Sequence, residues 1–144
     1  MTQEVLTAIL HTDGAAKGNP GPAGAGFVLE TDGGEVIAEG AIPLGRATNN
    51  YAEYSALIAG LTEALARGIA EVEVLSDSEL MCRQLNGEYR VRNAGLLPLY
   101  QQVCEMADRF RQVRFTHVRR HLNERADALA NQGAALSARG TGRR

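Results

Sequence analysis

The hydrophobic period of the chain changes near residue 50, and that change limits the folds open to it. Before it, Glu4–His11 (EVLTAILH), Gly26–Glu30 and Glu35–Gly40 are short, mostly apolar runs of strand type. Thr31-Asp32-Gly33-Gly34 reads as a hairpin turn between the last two. Three strands joined by short connections predict an antiparallel meander. After the change, Tyr54, Leu57, Ile58, Leu61 and Leu65 recur at helical spacing between Asn50 and Arg67, and Gly68 stands where a helix stops. Glu71–Leu75 (EVEVL) alternates as a strand. Ser76 and Glu79 have capping-box spacing ahead of a short helix, Ser78–Leu85, which Asn86-Gly87 ends. Beyond Pro98, Leu99–Phe110 is helical, and Gln112–Val118 alternates as a last strand. Asn123 is a natural N-cap for a helix from Glu124 to about Leu136. A meander followed by helix–strand units predicts a single α/β domain, one mixed sheet with helices on its faces. Residues 1–137 should form that domain. The tail from Ser137, with residues 138–144 beyond the domain, has no large apolar side chain and should fray.

At 144 residues, 44% of them apolar, the chain can fill one core. Aromatics are only 5%, so that core must rest on Ala, Leu, Val and Ile. No apolar run is long enough to cross a bilayer. The start, Met1-Thr2-Gln3-Glu4, has neither a basic region nor a cleavage-site pattern, so a cytoplasmic location is expected. Cys82 and Cys104 lack CxxC spacing and read as buried thiols, not as a disulfide framework or zinc site. The net charge of −2 conceals an asymmetry. Residues 1–79 hold twelve Asp/Glu against Lys17, Arg46 and Arg67, a net −9, whereas residues 80–144 hold five acids against twelve arginines, a net +7. Such a chain suits metal ligands in one half and phosphate contacts in the other, although a solvated surface could carry the same pattern.

Four acids resist a purely structural explanation. Asp13 precedes a glycine at a strand end and could be a turn residue; Asp77 follows EVEVL and could cap a helix. Taken together, two acids at abutting strand ends would meet at the carboxyl edge of the sheet, where α/β proteins bind ligands. Glu53 shares a helix face with Leu57, Gly60 and Ala64, which should point inward, and an ionised carboxylate there needs a partner or a cation. Asp127 likewise shares a face with Ala130, Asn131 and Ala134, within or beside the first turn of the last helix. Four converging acids would repel one another without a counterion. A hard divalent cation with oxygen ligands resolves this, and Mg²⁺ is the usual occupant. A pair of such ions can activate water and stabilise a leaving oxygen in phosphodiester cleavage.

TDGAAKGNPGPAGAG, TNNYAEYSAL, SDSEL and NERADALAN, in this order and spacing, resemble type 1 ribonuclease H from about Leu10 to Leu136. The resemblance implies a mixed five-stranded sheet flanked by helices. It also implies an endonuclease that hydrolyses the RNA strand of RNA/DNA hybrids to 5′-phosphate and 3′-hydroxyl ends. Its metal ligands fall on Asp13, Glu53, Asp77 and Asp127, with two Mg²⁺ ions bound alongside substrate and Mn²⁺ as a possible substitute. Asn19 and Asn50 match residues that sense 2′-hydroxyls in the hybrid's minor groove. Arg46, Thr48 and Asn93 match a pocket for a phosphate of the DNA strand. The Gly14 region is not a nucleotide P-loop, since GK[ST] and GxGxxG are both missing; it reads as a turn that lets backbone approach nucleic acid. The expected partner is an RNA/DNA hybrid, with no membrane, no obligate protein partner and a monomeric state.

Three departures from the family pattern carry consequences. Gly87–Leu97 is short where some relatives insert a basic, Trp-rich protrusion, leaving Arg90 and Arg92 and predicting salt-sensitive affinity. Glu79 replaces a frequent Gln and cannot donate to a base edge, so capping duty is the alternative to a substrate contact. The loop before Asp127 is compact, with His121 as the candidate to assist proton transfer or product release and Arg119 or Arg120 as electrostatic substitutes. His11 and His117 lie inside predicted strands and read as structural. Two rivals stay open: a nucleic-acid-binding module of weak activity on the same fold, and a nuclease that also cuts double-stranded RNA.

Overall fold

The computed structural model describes residues 6–141; the expected strand start at Glu4 and the last three residues lie outside them. Five strands, β1 (Thr7–Ala16), β2 (Gly21–Thr31), β3 (Val36–Ala47), β4 (Glu71–Ser76) and β5 (Gln112–His117), form one sheet in the order β3-β2-β1-β4-β5. The β1–β2 and β2–β3 pairs are antiparallel, and β1–β4 and β4–β5 are parallel. Helices α1 (Asn49–Ala66), α2 (Glu79–Leu85), α3 (Leu97–Ala107) and α4 (Glu124–Thr141) complete the single domain. The expected mixed α/β architecture is therefore the one observed.

One face of the sheet carries α1 and the main core. Leu10, Leu29, Tyr54, Leu57, Leu61, Val74 and Val103 are all buried there. Tyr54 is the one large polar-tipped residue among them, and its hydroxyl donates to Gln84 Oε1 at 2.6 Å. The opposite face receives α4, flush against β2. A Cβ on Gly24 would lie 2.2 Å from the Ala134 amide nitrogen, and one on Gly26 would lie 2.3 Å from the Ala126 carbonyl oxygen. Backbone therefore meets backbone, which no larger residue would allow.

Several boundaries differ from the sequence reading. The Gly/Pro-rich stretch after Asp13 is mostly strand, because Gly14, Ala15 and Ala16 pair with Ala25, Gly24 and Ala23. Only a turn at residues 17–20 remains, with Gly18 at φ 98°. Asp13 thus lies within β1 and not at its end. β3 continues through Pro43 to Ala47, which an edge strand tolerates. α3 begins at Leu97 with Pro98 in its first turn. Ser78, not Ser76, caps α2: its hydroxyl accepts from the Met81 amide at 3.3 Å, while the Ser76 hydroxyl accepts from the Ser78 amide. Cys82 is buried but Cys104 only half-buried. Among the described residues no helix is long and apolar enough to cross a membrane.

The end of α4 is the main correction. The helix does not stop near Leu136 but continues to Thr141. Buried Ser137 holds it there: its hydroxyl donates to the Ala23 carbonyl at 2.7 Å and accepts from the Gly45 amide at 3.0 Å. Ser137→Ala leaves both backbone groups without this partner and is expected to lower unfolding free energy by about 1–3 kcal/mol in urea titrations. Unchanged stability would show that the helix end contributes nothing.

Candidate active site

β1, α1 and the end of β4 deliver three of the four acids. Asp13 points from β1 toward the α4 side, opposite Gly26 in register. Asp77 follows the last residue of β4, which runs parallel to β1 with Ser76 beside Thr12. Glu53 comes from the second turn of α1, brought close by Gly14: a Cβ there would fall 2.4 Å from the Glu53 amide nitrogen. The contact is sealed by a hydrogen bond from the Gly14 amide to Glu53 Oε1, 2.9 Å long and buried. One carboxylate oxygen each from Asp13, Glu53 and Asp77 lie within 4.8 Å of one another. Asp13 and Glu53 are almost wholly buried, at 3% and 4% exposure.

Asp127, in the first turn of α4, stands outside that mutual trio and meets it through Asp13. Burial, above all, raises the Asp13 carboxyl far above the ordinary carboxylate range; the charge of Glu53 and hydrogen bonding to Asp127 add to the rise. Glu53 is also raised, mainly by burial, although its hydrogen bonds with Asp13 and the Gly14 amide pull the other way. Without a cation the cluster therefore keeps protons at neutral pH. Glu53 Oε2 is buried and has no hydrogen-bond partner among the described residues. An orphaned oxygen on a carboxylate grouped with two further acids fits a hard divalent cation held by oxygen ligands.

Other residues separate into those near the acids and those elsewhere. A cavity of about 470 Å³ is lined by Asp13, Gly14, Glu53 and Asp77, with Asn49, His117 and Arg120 among its other walls. Arg120 Nε lies 3.8 Å from Asp77 Oδ2. His117, read from the sequence as structural, is exposed and lines this cavity. His121 is exposed in a 3₁₀ turn, Arg120–Leu122, and does not line it. The signal for His117 was its register: it pairs with Ser76, the residue before Asp77. His11 Nε2 lies 2.8 Å from Glu30 Oε1.

Arg46, Thr48 and Asn93 meet in a second cavity of about 350 Å³, with Tyr51 and Leu96 among its walls. Thr48 also caps α1, accepting from the Tyr51 amide at 3.2 Å. Asn19 Oδ1 accepts from the Asn49 amide at 3.0 Å, which joins the β1–β2 turn to the start of α1 beside exposed Asn50. Glu79 makes no capping box; Arg83 holds its carboxylate at 2.8 Å.

Fold and site together define an α/β protein with an acidic cluster suited to divalent cations. A family model described as reverse transcriptase-like matches residues 11–133. A ribonuclease H of Pseudomonas fluorescens is 37% identical over 148 residues, covering 92% of this chain and 94% of the relative. Ribonuclease HI of Halobacterium salinarum is 46% identical over 122 residues, covering 85% of this chain and 61% of the relative. A bifunctional protein of Mycobacterium tuberculosis is 43% identical over 134 residues, but this chain spans only 37% of its length. The solved N-terminal RNase H domain of that mycobacterial protein, fused to maltose-binding protein, superposes with a TM-score of 0.92 at 42% identity, covering 94% of this chain and 99% of the other. LC11-RNase H1, solved in complex with an RNA/DNA hybrid, gives 0.86 at 37% identity, covering 91% and 99%. The chain belongs to the type 1 ribonuclease H family.

The raised carboxyls fix a sign for pH dependence. Their folded-state pKa lies above the unfolded value, near 4, so the folded state binds more protons and stability falls as pH rises from that value through neutrality. Asp13→Asn removes much of this penalty. In chelator, it is expected to be more stable than wild type by on the order of 1 kcal/mol at pH 8, with the gap closing toward pH 4. A gap that is absent, or that widens on acidification, contradicts the electrostatic account.

Proposed function

We propose that the chain is an endonuclease that hydrolyses the RNA strand of RNA/DNA hybrids, leaving 5′-phosphate and 3′-hydroxyl ends. The observation that carries this reading is the trio of Asp13, Glu53 and Asp77 oxygens, with Asp127 joined to it through Asp13, in a chain of this family. Mg²⁺ is the proposed cofactor, as two ions when substrate is present, with Mn²⁺ able to substitute. Asp13, Glu53, Asp77 and Asp127 would hold the ions. Bound there, the ions supply an activated water and stabilise the leaving oxygen. The protein's own part is to hold the acids together in one place and to present the scissile phosphate to them. The Gly14 amide fixes Glu53. Arg119 and Arg120, on the wall of the same cavity, offer positive charge to the substrate backbone.

Recognition of the hybrid would be divided between two surfaces. Asn19, bonded to the Asn49 amide, and the next residue, Asn50, would read 2′-hydroxyls, with backbone at Gly14 close to the RNA strand. Arg46, Thr48 and Asn93 would take a phosphate of the DNA strand in their shared cavity. The complex of LC11-RNase H1 with an RNA/DNA hybrid supports this substrate. His117 joins His121 as a candidate for proton transfer, because it lines the acid-bearing cavity. A broader second reading includes double-stranded RNA: Glu79 is a carboxylate, paired with Arg83, and cannot donate to a base edge as an amide would.

The test is cleavage of labelled RNA/DNA hybrid, double-stranded RNA and double-stranded DNA, in Mg²⁺, in Mn²⁺ and in chelator. Hybrid should be cut with either metal and spared in chelator, and Asp13→Asn should abolish cutting while leaving hybrid binding. Hybrid that is bound but never cut would leave only a binding module. Arg46→Ala should weaken hybrid affinity, lower the salt-dependence slope by about 1 and leave kcat unchanged. An unaltered slope would remove Arg46 from the phosphate contacts.

A further inference from the structure

Asn123 stands between the 3₁₀ turn and α4, is 2% exposed, and has two bonds that lead to two different acids. Its side-chain Nδ2 donates to the Thr12 carbonyl at 2.8 Å, across 111 residues of sequence, and Thr12 directly precedes Asp13. Its own carbonyl accepts from the Asp127 amide at 3.0 Å. A single residue thus ties the backbone of the Asp13 strand to the backbone of Asp127. The position suggests an N-cap, whose side-chain oxygen would accept from an amide in the first turn of α4. Asn123 Oδ1 does not do this; it is buried and has no hydrogen-bond partner among the described residues. The amide end, not the oxygen, fixes the side chain.

The helix is limited from a second direction. Gly26 is the cross-strand partner of Asp13, and a Cβ on it would lie 2.3 Å from the Ala126 carbonyl and 2.5 Å from the Ala130 amide nitrogen. Asp127 follows Ala126 directly. The start of α4 is therefore tethered to β1 by Asn123 while the turn that bears Asp127 rests on β2. An outer residue that fixes the backbone behind a ligand tunes affinity without touching the ion.

We propose that Asn123 is a positioning residue that holds Asp127 against Asp13 and thereby sets divalent-cation affinity at the Asp127 side of the cluster. This rests on the metal-binding reading above. The test separates tethering from capping. Serine and ionised aspartate cap helices well, but serine is too short to reach the Thr12 carbonyl and aspartate cannot donate to it. Mg²⁺ and Mn²⁺ are titrated calorimetrically into wild type, Asn123→Ser and Asn123→Asp, each alone and combined with Asp127→Asn, with folding followed by far-UV circular dichroism. Both single variants are expected to bind the ions about tenfold more weakly than wild type. In the Asp127→Asn background the same substitutions should leave affinity unchanged, whatever they do to stability. Gly26→Ala, which lifts the same turn with Asn123 intact, should reproduce the loss. Wild-type affinity in the folded single variants, or an equal loss without Asp127, overturns the proposal. A wild type that binds neither ion overturns the metal-binding reading itself.

Discussion

The distance of closest approach between α1 and β1 at Gly14 sets the rest of the site. With no side chain there, the helix backbone packs onto the strand, and the Gly14 amide reaches Glu53 Oε1. That single contact places a buried carboxylate beside two other acids. The folded chain accepts a local electrostatic penalty, visible in the upward shift of Asp13 and Glu53. Such a penalty is characteristic of a site whose missing charge is supplied by a ligand.

The mixed topology makes the convergence possible. Parallel pairing of β1 with β4 aligns the strand positions of Asp13 and Asp77, which an antiparallel neighbour would place at opposite edges. Antiparallel β2 then brings Gly24 and Gly26 behind β1, so that α4 can lie flush on the far face and deliver Asp127. The helices therefore approach from both faces, and small residues at the contact points decide how far each acid reaches. Substrate contacts occupy separate ground: Arg46 and Thr48 at the end of β3 and start of α1 meet Asn93 from the α2–α3 connection.

What the sequence displayed followed from short-range chemistry. Glu53 was legible because Leu57, Gly60 and Ala64 mark its helix face as the inward one, and all four are buried. The five strands and four helices follow from hydrophobic period and turn residues. Gly14–Ala16 hid their strand because glycine and alanine have weak β-propensity, and tertiary pairing with Ala23–Ala25 overrode it. His117 lies in its expected strand, but its nearness to the acids was not legible because inter-strand register is not written in local pattern; only the β4–β5 pairing shows that it stands beside Ser76. The extension of α4 past Leu136 depends on one serine hydroxyl that bridges Ala23 and Gly45, about a hundred residues away in the chain. Asn123 was recognised by position but not by role, since a cap and a long-range tether use the same side chain.

Asp13, Glu53 and Asp77 are held to form a divalent-cation centre. Anomalous diffraction from crystals soaked in Mn²⁺ tests it most directly. The account predicts density bounded by the carboxylates of Asp13, Glu53 and Asp77, lost in Asp13→Asn crystals. Density confined to other acids, such as Glu71 and Glu73 on β4, or no density at the cluster, would contradict it.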